Sequence, residues 1–109
     1  MKIIEGDEFQ KELKKFLKKY RTLESELAVA KLAITAEPRG DGTKHWNILK
    51  QSGDVYIIKM RMMCRAVRGS DFRLIYKYDG FSVEVMLIEM YYKGNKARED
   101  VTRYEKYLQ

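Results

Sequence analysis

Three stretches in the middle of the chain have the residue pattern of β-strands. They cover residues 53–63, 72–78 and 83–92, and they are rich in β-branched and aromatic side chains. Turn residues, mainly glycine and aspartate, separate them at 68–71 and 79–80. Short apolar segments bounded in this way are typical of successive antiparallel strands. The pattern therefore predicts a three-stranded meander, closed by Lys93 and Gly94.

The N-terminal third has helical periodicity instead. A short edge strand is expected at 2–4, followed by a helix in which Asp7 and Gln10 form a capping-box pattern. Apolar residues then recur every three or four positions as far as Tyr20. Thr22 is placed to cap a second helix, and Pro38 ends it because the residue before a proline is pushed out of the helical region.

The remaining segments complete the predicted fold. Residues 45–49 are expected to lead into a turn at 50–53, and a final helix is expected over Lys96–Gln109. The 109 residues suffice for one domain with a core but not for two. We predict a single α+β domain over residues 1–109, in which an N-terminal helical hairpin packs on a twisted antiparallel sheet beside a C-terminal helix.

Alternation along the strands divides the sheet into two faces. Lys59 and Arg61 lie two residues apart and should project from one face, while the intervening apolar side chains take the other. Arg73 and Lys77 repeat this spacing on the next strand. The net charge of +6 follows the same region, because residues 44–98 carry eleven Lys and Arg against five Asp and Glu. One side of the meander is therefore expected to be core and the other a positive surface suited to phosphate or an acidic partner.

Several function classes are excluded by what the sequence lacks. One cysteine and one histidine cannot form a His/Cys metal set, and no glycine-rich loop joins a strand to a helix, so neither a metal nor a nucleotide cofactor is expected. Cys64 is expected to be a small core or edge residue, and His45 a surface or loop residue rather than a catalyst. No apolar run reaches the length of a membrane span and no signal-peptide core is present, so we expect no membrane partner and a cytoplasmic location.

The chemistry that remains belongs to Lys, Arg and Tyr on a sheet. Cations can stabilise the charge that builds on a phosphate when a ribose 2′-hydroxyl attacks it. A lysine among other positive charges can also exchange a proton more readily, and Lys59 beside Arg61 and opposite Arg73 has such neighbours. Tyrosines and arginines near a sheet can stack on bases.

These motifs together resemble the RelE/ParE superfamily of type II toxins. The most specific pieces are Tyr-Ile-Ile-Lys-Met-Arg at 56–61 and Phe-Arg-Leu-Ile-Tyr at 72–76, preceded by the lysine-rich helical hairpin and a loop containing proline. The similarity runs through nearly the whole chain in order. It implies an α+β fold with helices on one side of a twisted antiparallel sheet.

The resemblance also implies roles for individual residues. Lys59 matches a catalytic-site lysine, Arg61 the strand arginine beside it, and Arg73 an arginine that contacts phosphate. Lys93 falls where the family has an arginine that stabilises the transition state, and lysine there keeps the charge without the bidentate fork. The family's C-terminal catalytic tyrosine has no clean counterpart, since Glu99 falls near that place. Tyr91 and its neighbour Tyr92 are the nearest candidates, and we include Tyr91 among the catalytic residues.

Function follows from the branch that the chain resembles most. The RelE branch cleaves mRNA in the ribosomal A site without a metal, so ribosome, mRNA and a cognate antitoxin are the expected partners. Further basic residues are expected to contact RNA, namely Arg65, Arg68, Lys77 and Lys96. Two alternatives remain open. The chain could be a non-enzymatic inhibitor of DNA gyrase, as in the ParE branch, or a member that binds RNA or protein without turnover.

Overall fold

The computed structural model describes residues 1–62, 64 and 72–108 and has an α+β architecture. Its elements in chain order are β1 (Lys2–Glu5), α1 (Asp7–Lys19), α2 (Leu23–Ala36), β2 (Trp46–Ser52), β3 (Val55–Met62), β4 (Phe72–Asp79), β5 (Glu84–Tyr92) and α3 (Val101–Glu105). A single 3-10 turn over Lys106–Leu108 extends α3. None of the helices in the described part of the chain is long and apolar enough to cross a membrane.

The five strands form one mixed sheet in the order β1-β5-β4-β3-β2. Strands β2 to β5 are an antiparallel meander, and β1 lies parallel to β5 at the edge. The predicted edge strand and the three predicted meander strands are confirmed, but the prediction of an antiparallel sheet is wrong at one edge, because β1 runs parallel to β5. The predicted turn at 50–53 is wrong, because β2 continues to Ser52 and pairs there with Val55. This strand is mostly polar and exposed at the sheet edge, so its apolar alternation is weak.

One face of the sheet carries the main core. Side chains from α1 and α2, including Phe9, Leu23 and Ile34, pack there against inward-facing residues of β3, β4 and β5. Four aromatic rings meet at one end of this core, with Phe72 at their centre. Its ring centroid lies 5.0 Å from that of Phe16, 5.2 Å from Tyr20 and 5.3 Å from Tyr92. Edge-to-face and tilted pairs at these distances contribute beyond the burial of their area.

The opposite face is divided between apolar and charged side chains. Ile57, Ile75 and Ile88 form a second core with Tyr91 and Tyr104, and the C-terminal helix covers it. The expectation of a cluster of positive charge on this face is therefore only partly met, because apolar side chains share the face with Lys59, Arg61 and Arg73.

The helix boundaries differ from the sequence pattern at two places. α1 begins at Asp7 as predicted, but Gly6 is its N-cap and Asp7 lies in the first turn. A Cβ at Gly6 would lie 2.9 Å from the carbonyl oxygen of Leu87, so glycine allows the close approach to β5. The final helix begins only at Val101, where the Asp100 side chain accepts a hydrogen bond of 3.0 Å from the backbone N–H of Arg103.

Arg103 attaches this short helix to the rest of the molecule. Its guanidinium donates to both carboxylate oxygens of Glu12 at 3.0 and 3.1 Å and to the carbonyl of Ile88 at 3.1 Å. Its Nε lies 2.9 Å from a carboxylate oxygen of Glu8. Such bidentate Arg–carboxylate pairs fix orientation. The C-terminal segment is thereby held against α1 and β5.

Candidate functional site

A basic cavity of about 290 Å³ opens at the sheet edge where β2 and β4 begin and β3 ends. Lys93, the residue after β5, lies at the same edge. Its described lining residues are Lys44, His45, Trp46, Asn47, Lys59, Arg61, Arg73 and Lys93. Five of these eight carry positive charge, and none of the described lining residues is acidic. A concave site of this composition favours an anion.

Strand register explains why these residues meet. Arg61 pairs directly with Arg73 across the β3–β4 ladder, and Lys59 pairs with Asn47 across the β2–β3 ladder. Lys93 comes one residue after the end of β5. The structure thus brings Lys59, Arg61, Arg73 and Lys93 together at one cavity, and their catalytic roles remain predictions.

The two arginines face each other as like charges. Arg61 is exposed, whereas Arg73 is only 7% exposed and donates a hydrogen bond of 3.2 Å from Nη1 to the carbonyl of Phe72. Each planar guanidinium fork matches the oxygens of a phosphate, so an anion in the cavity would meet both side chains.

Lys59 forms an ion pair with the buried carboxylate of Glu99. Its Nζ lies 3.1 Å from Oε2 of Glu99, and the hydroxyl of Tyr91 donates to the same oxygen at 3.2 Å. Glu99 is only 8% exposed. The pair fixes the position of Lys59 and balances part of its charge.

The pKa values of the two groups around Lys59 move in opposite directions. Burial alone would raise the pKa of Glu99, but hydrogen bonds from its own backbone N–H and from Lys59 and Tyr91 outweigh burial and lower it. Burial raises the pKa of the Tyr91 hydroxyl well above its ordinary value, and the neighbouring Glu99 carboxylate raises it further. Tyr91 therefore keeps its proton and donates it to Glu99 as a hydrogen bond.

Tyr91 belongs to the second core and is not among the described residues that line the basic cavity. It pairs with Arg73 across the β4–β5 ladder and packs in the second core. Its place fits support of Lys59 through Glu99 better than contact with a substrate. The catalytic role expected for Tyr91 remains a prediction.

The residues expected to contact RNA are distributed more widely. Lys77 shares the face of Arg73 but is four residues along β4, about 13 Å away at the usual rise of a strand, and is absent from the described cavity lining. Lys96 forms an ion pair of 2.5 Å with the buried Glu89 and lies over the ring of Tyr91. Arg65 and Arg68 lie outside the described residues.

The structure adds four residues that sequence reasoning did not select. Lys44, His45, Trp46 and Asn47 line the cavity because β2 and the turn before it lie beside β3. The backbone N–H of Arg61 donates to the carbonyl of His45 at 2.9 Å, which continues this pairing. If β2 had been recognised in the sequence, His45 would have been placed opposite Arg61 and Asn47 opposite Lys59. The apolar pattern of this edge strand is too weak for that recognition.

Other features of the described chain offer less chemistry. A groove of about 390 Å³ between α2 and the end of β3 is lined mainly by apolar side chains such as Val29, Ala33 and Met62. Within the described residues, no group of three or more His, Cys, Asp and Glu side chains could hold a metal ion. The basic cavity is therefore the best candidate site.

Comparison of the chain with protein-family models, with curated proteins and with solved structures finds no match. Assignment of function must therefore start from the residues of the basic cavity.

Replacement of Glu99 by glutamine is expected to lower the free energy of unfolding at pH 7 by about 1–3 kcal/mol, because a buried charged hydrogen-bond acceptor is lost. The lowered pKa of Glu99 means that its contribution is present above the unfolded-state pKa and is lost as the pH falls through the folded-state pKa. The difference between wild type and Glu99→Gln should therefore shrink between pH 7 and about pH 3. Urea denaturation at both pH values measures it.

The matched control is Glu24→Gln, which removes the same charge from an exposed position on α2. We expect this variant to stay within about 0.5 kcal/mol of wild type at both pH values. A Glu99→Gln difference that is unchanged at low pH would show that the carboxylate charge does not stabilise the fold.

Proposed function

We propose that this chain is a ribosome-dependent mRNA endonuclease, the toxin of a type II toxin–antitoxin system, with a RelE-like fold. The observation that carries the proposal is the basic cavity, in which five cations converge and no described lining residue is acidic. The motifs that resemble the RelE branch supply Lys59, Arg61 and Arg73 to this cavity. Support therefore comes from motif and geometry at the same residues.

The cavity can stabilise a phosphodiester in the required way. Arg73 is largely buried, so its guanidinium is already oriented before a substrate arrives. Donors that are fixed in advance around developing charge usually supply the largest part of catalysis. Arg61 and Lys93 would approach from the neighbouring strand and from the end of β5. Together they would bind the scissile phosphate and neutralise the charge of its pentacoordinate transition state.

The proposed reaction is an internal phosphoryl transfer. The ribose 2′-oxygen attacks the adjacent phosphorus, and the bond from phosphorus to the 5′-oxygen breaks. The products are a 2′,3′-cyclic phosphate and a 5′-hydroxyl. Because Lys59 is paired with Glu99, its role in this reaction is charge stabilisation.

Two partners follow from the same surface. The ribosome would present mRNA in an extended form, and the cations of the cavity would provide salt-sensitive contacts to its phosphates. A cognate antitoxin with an acidic or amphipathic segment would neutralise the toxin by covering the cavity. Both partners imply action in the cytoplasm.

Primer extension on a defined mRNA in a purified translation reaction tests this proposal. We expect cuts at A-site codons that require both the protein and ribosomes. Raising the salt from 50 to 200 mM should weaken binding of the protein to mRNA roughly 50-fold, as expected for about four phosphate contacts on a single strand. Intact mRNA with saturating folded protein would overturn the proposal, and loss of gyrase supercoiling in a parallel assay would then identify a ParE-like inhibitor.

A second candidate function is RNA binding without cleavage. Burial of Tyr91 and its hydrogen bond to Glu99 favour it, since the described cavity lining contains no tyrosine. This candidate predicts that the protein protects A-site mRNA from added nuclease and produces no cuts of its own. Cleavage by wild-type protein excludes it.

A further inference from the structure

The imidazole of His45 differs in kind from the other ionisable groups of the basic cavity. The other ionisable side chains among the described lining residues are Lys44, Lys59, Arg61, Arg73 and Lys93. Ammonium and guanidinium groups are hydrogen-bond donors with no acceptor, whereas a neutral imidazole has one nitrogen that can accept a proton. The carboxylate of Glu99 is already engaged by Lys59 and Tyr91. Among the described lining side chains, only a neutral imidazole of His45 can accept a proton without first giving one up, as a lysine must.

His45 lines the cavity from the turn that immediately precedes β2. Its carbonyl accepts from the N–H of Arg61, and Asn47, two residues further on, lies opposite Lys59 and lines the same cavity. Trp46 packs against the main core. His45 is exposed, so its ring can reach a bound substrate.

The turn before β2 fixes the backbone of His45. Its carbonyl accepts from the N–H of Arg61 at 2.9 Å, and the N–H of Trp46 donates to the carbonyl of Thr43 at 3.2 Å. Gly40 has a φ of +84°, and a Cβ there would lie 2.7 Å from Cβ of Trp46. Glycine thus allows the turn to pack directly on Trp46, the residue after His45.

Asp41 lies in the same exposed turn. Hydrogen bonds from the side chain and backbone of Thr43 hold the pKa of Asp41 below its ordinary value, and the electrostatic effect of His45 on it is the weakest of the causes. The cations facing His45 come from β3, β4 and the residue after β5, namely Lys59, Arg61, Arg73 and Lys93.

We infer that His45 is the general base of the cleavage reaction, an inference that rests on the proposed function. Its neutral ring nitrogen takes the proton of the ribose 2′-hydroxyl as the 2′-oxygen forms its bond to phosphorus. The bond from phosphorus to the 5′-oxygen breaks, and that oxygen keeps the electron pair and takes a proton from water. The imidazolium then returns its proton to solvent, so the protein is unchanged after each turnover.

Single-turnover cleavage of ribosome-bound mRNA by wild type, His45→Gln and His45→Gly tests this role. Both variants should be slowed about 100-fold or more, the usual contribution of general acid–base catalysis. Binding to ribosomes carrying a 2′-O-methyl mRNA, which cannot be cleaved, should stay within about threefold of wild type, since bound phosphate is held by the cations. Added imidazole should restore cleavage by His45→Gly, which a purely structural residue would not allow.

Two comparisons complete the test. Lys50→Gln removes an exposed charge from β2, where Nζ of Lys50 lies 3.5 Å from a carboxylate oxygen of Glu105. This variant should cleave at the wild-type rate. An mRNA with sulfur in place of the scissile 5′-oxygen has a leaving group that needs no proton. We expect this substrate to leave the defect of His45→Gln in place, because the base is still missing.

The outcomes separate this inference from the proposed function. If wild type leaves mRNA intact, both are overturned. If wild type cleaves while His45→Gln stays within about threefold of it, only the role of His45 is overturned. Full recovery of His45→Gln on the sulfur substrate would also overturn it, because His45 would then be the acid that protonates the leaving group.

Discussion

Arg73→Ala is expected to slow RNA cleavage by about 10²–10³-fold, the usual loss when one fixed donor to a transition state is removed. Arg73 is largely buried, so its guanidinium is held in position before a substrate binds. Arg73→Lys keeps the charge without the bidentate fork and should fall between alanine and wild type. The measurement is the single-turnover rate on ribosome-bound mRNA at saturating protein.

A matched control separates the loss of one arginine charge from the loss of an arginine at position 73. Arg21→Ala removes an arginine from the exposed connection between α1 and α2 and should cleave at close to the wild-type rate. Thermal melts of both variants establish that each is folded at the assay temperature. Equal rates for folded Arg73→Ala and wild type would remove Arg73 from the site.

Phe72→Ala is expected to reduce the free energy of unfolding by about 3–5 kcal/mol, the range for deleting a fully buried aromatic side chain. Phe72 has no exposed surface, and its ring is in contact distance of the three rings of Phe16, Tyr20 and Tyr92. The substitution leaves a cavity between α1 and the sheet. Urea denaturation monitored by circular dichroism measures the loss.

Phe81 supplies the control for this prediction. It is 86% exposed at the turn between β4 and β5, so Phe81→Ala should change stability by less than about 0.5 kcal/mol. A loss below about 1.5 kcal/mol for Phe72→Ala would mean that the neighbouring rings close the cavity by moving together.

The sequence predicted the parts of the fold that have strong local patterns. The helices around Phe9 and Leu27 and the strands around Ile58, Ile75 and Leu87 have apolar periods that burial requires, so they could be recognised without tertiary information. β2 could not, because an edge strand buries little on either face. The final helix was predicted too long since residues 96–100 instead form the segment that brings Glu99 to Lys59.

The candidate site was predictable only in part for a related reason. Lys59, Arg61 and Arg73 follow from alternation on two recognised strands, and Lys93 from the end of a third. His45 depends on β2, and Glu99 depends on how the C-terminal segment crosses the sheet. Its contact with Lys59 joins residues 40 positions apart, a distance at which local patterns carry no information.

The parallel pairing of β1 with β5 has a consequence for synthesis of the protein. Lys2 is made 82 residues before its partner Glu84. At 5–20 residues per second, the N-terminal strand waits roughly 4–16 s for its partner. The basic cavity needs Lys93 from just after the same partner strand. A nascent chain therefore completes its sheet edge and its basic cavity together, once β5 and Lys93 have been made, and a product terminated before β5 lacks both.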